Sequence, residues 1–150
     1  MHELKRRTQI AASLEDVFNF FSDAGNLDQI TPPWLKFKIL TPTPIPMELN
    51  TKIDFSLKLN GIPFQWKSQI TVWDPPAVFV DEQISGPYRQ WIHTHRFSEN
   101  EAGTAMEDHV SYSIPGWIVE PLIHTMIVRS RLERIFDYRE AKLKEILGPA

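Results

Sequence analysis

A chain of 150 residues, 42% apolar and 23% charged, has the composition of one ordinary globular domain, 1–150, able to bury a substantial core. Its net charge of −3 excludes the basic footprint of a nucleic-acid binder, and no apolar run approaches the roughly 18 residues of a membrane span. The absence of cysteine excludes disulfides, thiolate metal sites and a cysteine nucleophile; with no secretory signal at its start, a soluble cytoplasmic protein is expected.

Residues 3–11 read as a strand, with Lys5-Arg6-Arg7 as its solvated face. Ser13 and Asp16 resemble a capping box and open a helix that buries Leu14, Val17, Phe18 and Phe21 and fades near Gly25. Asn26 is placed to cap a second short helical turn, which Thr31-Pro32-Pro33 ends. From Trp34 the spacing alternates, with Leu35, Phe37 and Ile39 on one face and Lys36 and Lys38 on the other. After a proline-rich connection at 42–46, Ile53, Phe55, Leu57 and Leu59 alternate with polar residues, as in a half-buried strand.

Asn60-Gly61 is a two-residue hairpin signal. The strand after it, 64–73, gathers Phe64, Trp66, Ser68, Ile70 and Val72 on one face and leaves Trp73 out of phase, at a cover or an edge. Asp74-Pro75-Pro76 breaks it; strands at 77–84, 89–98 and 104–114 follow, and Pro115-Gly116 stops the sheet. The remainder predicts one long helix, about 118–147, with Pro121 in its first turn. Leu122, Met126, Leu132, Phe136, Leu143 and Ile146 are among its apolar positions, with Arg131, Arg134, Lys142 and Lys144 on the wet side. The architecture is thus α+β: about seven antiparallel strands, two short helices after the first, and a C-terminal helix.

A twisted antiparallel sheet can curl around one long helix but cannot close on it, so this order predicts a cavity. Five tryptophans, nine phenylalanines and three tyrosines make that interior aromatic. The period of two puts Trp91, His93, His95 and Phe97 on one face of their strand, so two titratable rings point into apolar surroundings. On the last strand Met106, Asp108, Val110, Tyr112 and Ile114 share the apolar face, which aims Asp108 at the histidines. The phase of 77–84 is open: Phe79, Asp81 and Gln83 face inward, or Val78, Val80, Glu82 and Ile84 do.

The order of elements resembles the SRPBCC superfamily, which includes START lipid-transfer domains, birch-pollen-allergen proteins and polyketide cyclase/dehydrase-like proteins. The likeness rests on Val17-Phe18-Asn19-Phe20-Phe21, Ile30-Thr31-Pro32-Pro33-Trp34, Trp73-Asp74-Pro75-Pro76, Gly86-Pro87-Tyr88 and Trp91-Ile92-His93-Thr94-His95-Arg96-Phe97. It is strongest to small bacterial stand-alone members. Asn50-Thr51 departs from it, since relatives tend to place glycine before the threonine. The resemblance implies a helix-grip fold and a small hydrophobic ligand: a lipid, polyketide or isoprenoid-like compound. It implies a cyclase/dehydrase-type enzyme as the alternative, and a chaperone-associated interaction module as a third class.

Phe55, Trp66, Ser68 and Phe79 are the expected ligand-binding residues on the earlier strands. Gln83, Trp91, His93, His95 and Tyr112 complete that set. If the site is catalytic, cyclisation, dehydration or isomerisation would use His93 or His95 as base, with Asp108 or Asp81 holding the tautomer. The plainer reading is a hydrogen-bonded network that fixes the sheet and lines the pocket. A metal held by both histidines and a carboxylate needs a placed third ligand and outer partners, which sequence does not supply; no metal and no cofactor are assigned. His109 and His124 fall on outward positions, and Tyr138 and Arg139 reach either cavity or solvent.

Overall fold

The computed structural model describes residues 2–59, 61–114 and 128–148. Seven strands form one antiparallel sheet: β1 (His2–Ile10), β2 (Lys38–Ile39), β3 (Lys52–Leu59), β4 (Ile62–Asp74), β5 (Val78–Ser85), β6 (Gln90–Asn100) and β7 (Gly103–Ser113). Their order is β1-β7-β6-β5-β4-β3-β2, so β2 to β7 run as a meander and β1 closes onto β7. Helix α1 (Leu14–Phe21) and the long helix α2 (Arg129–Leu147) pack on the same face of this sheet. The part of the expected long helix that precedes Val128, with Pro121 and His124, lies outside the described residues, as does Asn60.

Local chemistry explains the ends. The Ser13 hydroxyl accepts from the Asp16 amide at 3.1 Å, and α1 buries Val17, Phe18 and Phe21. Phe18 and Phe21 meet Phe79 and Phe97 from the sheet, with ring centroids 5.2–6.2 Å apart, and form one core with Ile10 and Leu143. A second core of Leu4, Val110, Tyr112, Leu132 and Phe136 lies further along the same helix. Between them the curved sheet stands away from α2. Asn50 takes a left-handed conformation (φ 72), which asparagine tolerates, where the superfamily tends to place glycine.

Several expectations are corrected. Helix α1 ends at Phe21, ahead of Gly25, and a 3₁₀ turn over Ala24–Ile30 follows. Its cap is Asp23, whose carboxylate takes the Gly25 amide at 2.9 Å; Asn26 instead donates to the Phe20 carbonyl. Only Lys38–Ile39 of the alternating stretch is strand, because Pro33–Leu35 forms a tight turn that Lys36 ends at φ 49. An irregularity between Ile70 and Val72 reverses the alternation of β4. Val72 is therefore exposed, while Trp73 packs on Phe18 at 5.2 Å. Arg6 is not on a solvated face: strand alternation puts it with Leu4 and Thr8 toward α2, where it pairs with Asp137 at 2.8 Å. Ile146 lies on the exposed side of α2.

Candidate functional site

The space between sheet and helix is a cavity of about 200 Å³. Phe55, Trp66, Ser68, Phe79 and Trp91 line it, with His93 and His95. The open phase of β5 resolves with Phe79, Asp81 and Gln83 inward, since Phe79 is buried and Asp81 reaches His95. Two of the expected ligand residues stand apart from the lining. Tyr112 is fully buried between Leu4, Val110 and Leu132. The Gln83 amide is spent on the Tyr88 backbone, donating to its carbonyl at 2.7 Å and accepting from its amide at 3.1 Å. Gln83 thus holds Tyr88, which does line the cavity.

The ionisable groups of the cavity form one cluster. Antiparallel register sets Asp81 opposite His93 and His95 opposite Asp108, so residues from three strands converge. His93 Nε2 is 2.7 Å from Asp108 Oδ1, and the same oxygen accepts from Arg139 Nη1 at 2.6 Å. His95 Nε2 is 2.7 Å from Asp81 Oδ2. His95 Nδ1 lies 3.4 Å from both Arg139 Nη2 and Asp108 Oδ1. The two imidazoles stack at 3.7 Å, and Phe79 covers the outer face of His95 at 4.0 Å. Asp108 is buried behind the histidines, outside the lining.

Electrostatics follow from this packing. Burial alone would raise the Asp108 carboxyl, but the Arg139 charge, the His93 hydrogen bond and both imidazoles hold it far below the carboxylate range. Burial likewise opposes ionisation of Asp81, but its His95 hydrogen bond, the two imidazoles and the Arg139 guanidinium together hold its carboxyl below the usual value. Burial first, then the neighbouring His93, lowers His95 to about 4 against the pull of Asp81 and Asp108. His95 is therefore neutral, donating from Nε2 to ionised Asp81 with its lone pair toward the guanidinium. His93 donates from Nε2 to ionised Asp108. Among the described residues its Nδ1 has no hydrogen-bond partner, and it belongs to the cavity wall.

Arg139 is the member that sequence left between cavity and solvent. Leu132, Phe136, Arg139 and Leu143 are the buried residues of α2 and recur at helical spacing, so a lone charge inside an apolar series was the available signal. Its guanidinium lies 5.5 Å from the Phe21 and Phe136 ring centres, which leaves the hydrogen bond to Asp108 as its main polar anchor. The third ligand and the outer partner that the sequence does not place are both present, as Asp81 and Asp108.

A curved sheet around a C-terminal helix, with a cavity between them, defines the helix-grip class. A protein from Chromobacterium violaceum superposes with a TM-score of 0.77 over 100% of both chains at 12% identity. A START superfamily protein from Mycobacterium smegmatis gives 0.72 over 97% of this chain and 99% of its own, at 13% identity. The di-domain ARO/CYC StfQ of the steffimycin biosynthetic pathway gives 0.73, covering 97% of this chain and 50% of its own, at 13% identity. At such identities these similarities show the fold alone. No curated protein matches the chain. The family model described as polyketide cyclase / dehydrase and lipid transport matches residues 10–136, and the chain belongs to that family.

Proposed function

We propose that the protein binds a small, flat, hydrophobic molecule in the cavity between sheet and α2. One observation carries this reading: apolar and aromatic side chains make up most of a 200 Å³ space, and its ionisable groups, Asp81, His93, His95 and Arg139, gather in one cluster. An engineered apolar cavity of about 150 Å³ holds benzene, so this one suits one or two fused rings. A longer lipid or polycyclic chain would extend through the mouth. Membership of the family, whose description includes lipid transport, supports a hydrophobic ligand. No described helix is long and apolar enough to cross a membrane. Native mass spectrometry of the freshly purified protein, followed by displacement of a solvatochromic dye with naphthalene, tests the proposal. Uptake of one apolar molecule per chain supports it; a protein that takes up neither dye nor naphthalene overturns it.

A second reading, cyclase/dehydrase-type acid–base chemistry, is favoured by the unpartnered Nδ1 of His93. Asp108 orients that ring from behind, as a carboxylate orients a catalytic imidazole. His95 is unsuited to the role, since both its nitrogens face partners and its basicity is lowered to about 4. His93→Gln keeps an N–H for Asp108 and removes the base. Turnover lost with ligand affinity retained supports catalysis, whereas affinity lost with it supports binding alone.

A further inference from the structure

We propose that Asp81, His93 and His95 form a three-ligand site for a divalent transition-metal ion that opens into the cavity. One ligand atom from each of the three lies within 4.8 Å of the other two, and all three residues line the cavity. They come from adjacent strands β5 and β6, with Asp81 directly opposite His93 in the register, so rigid backbone rather than a loop sets their spacing.

Three features distinguish this wall from a closed hydrogen-bonded network. First, it is only half-used: His93 Nδ1 and Asp81 Oδ1 have no partner among the described residues. Second, the outer support a metal-binding imidazole requires is already in place. Asp108 fixes His93 through Nε2 and leaves Nδ1 for the ion; it also lies 3.4 Å from His95 Nδ1, so His95 can turn its Nε2 lone pair inward and donate from Nδ1 to Asp108. Third, the charge is balanced for a cation. Asp108 neutralises Arg139 at 2.6 Å, which leaves the carboxylate of Asp81 as the uncompensated charge beside the two rings.

The geometric change needed is uneven: small between His95 and Asp81, and larger for His93, since the three ligand atoms span up to 4.8 Å and its ring must tilt out of the 3.7 Å stack with His95. His95 Nε2 and Asp81 Oδ2 are 2.7 Å apart across a proton. Neighbouring ligands on an ion with bonds of about 2.1 Å stand about 3.0–3.4 Å apart, so an ion replaces the proton with a shift of a few tenths of an ångström. Two imidazoles and one carboxylate suit zinc, cobalt or ferrous iron rather than calcium or magnesium. Three protein ligands on one wall leave the remaining coordination positions facing the apolar ligand space. With an ion bound, His93 Nδ1 is a ligand and is no longer free as a base, so metal binding and the acid–base reading exclude one another at that atom.

Titration of the full chain, stripped with chelator, with Co²⁺ in the visible range and by calorimetry tests the site. One Co²⁺ per chain with d–d absorption, displaced by Zn²⁺, is expected. Asp81→Asn should weaken Co²⁺ binding at least tenfold, and Asp108→Asn, made together with Arg139→Met so that no buried charge is left unpaired, by about 10–100-fold. His2→Ala and His109→Ala, both on residues outside the cavity lining, should leave binding unchanged. If Asp81→Asn fails to fold, the proton NMR spectrum of the Co²⁺-loaded native chain decides: two exchangeable hyperfine-shifted imidazole N–H signals are expected. No uptake at micromolar Co²⁺, uptake abolished by His2→Ala or His109→Ala, or a spectrum without those signals overturns the proposal.

Discussion

At the residue scale, Asp108 governs the site. Its carboxylate accepts from Arg139 and His93 inside the protein, where an unpaired charge is not tolerated. Arg139→Met strips away the guanidinium while keeping the aliphatic volume between Phe21 and Phe136, and should destabilise the fold by about 3–5 kcal/mol, read by urea denaturation. Adding Asp108→Asn to that variant should recover a substantial part of the loss, because no buried charge is then left unpaired. Equal stability of the single and double variants would show that Arg139 acts through packing alone. The alternation of β6 and β7 made His93, His95 and Asp108 legible before any coordinates. Asp81 was not, since both faces of 77–84 carry apolar and acidic residues and periodicity cannot choose between them. Arg139 stays open between cavity and solvent in the sequence, because a charge on a helix is ordinarily a solvated one.

His95 links the site to pH. Its folded-state basicity is lowered from 6.5 to about 4, so on acidification the unfolded chain takes up a proton before the folded chain does. The stability it contributes is full above about pH 6.5 and is lost as the pH falls toward about 4. The melting temperature of the metal-free protein should therefore decline through this window, above the range in which ordinary carboxylates titrate. His95→Gln, able to donate to Asp81 and accept from Arg139 without titrating, should flatten the profile between pH 6.5 and 5. An unchanged profile in that variant would remove His95 as the source.

At the scale of elements, the turn between β6 and β7 is fixed by a close approach. Gly103 has φ 125, and a Cβ there would press into the Ile10 carbonyl at the end of β1. Gly103→Ala should thus destabilise by about 2 kcal/mol or more, measured by thermal melting, since both the backbone region and the contact oppose a side chain. A neutral substitution would mean that β1 and this turn separate readily. Elements with strong local patterns were legible: Ser13 at the head of α1, the alternation of β3, the proline breaks. What escaped depended on contacts distant in sequence. The irregularity in β4 that turns Trp73 inward has no sequence mark, because it exists only where β4 meets β5. Asp23 outcompeted Asn26 as the cap because its carboxylate also receives the Ile45 amide at 3.2 Å from a remote loop.

At the scale of the whole molecule, the cavity is a consequence of architecture. One helix cannot fill the concavity of a seven-stranded sheet, and three clusters of buried apolar side chains pack where the elements do meet. That much follows from the order of elements, whereas the volume and the clustering of the ionisable groups depend on how the elements pack. Ser68 lies on β4 within the cavity wall and is 4% exposed, so a larger side chain there must enter the cavity. The most direct test of ligand binding is calorimetric titration of naphthalene into the native protein and into Ser68→Phe, with circular dichroism confirming that the variant is folded. Naphthalene should bind the native protein at one site per chain, quench tryptophan fluorescence through Trp66 and Trp91, and lose at least tenfold in affinity in Ser68→Phe. Absence of binding to the native protein, or equal binding to the filled variant, would contradict a ligand site in this cavity.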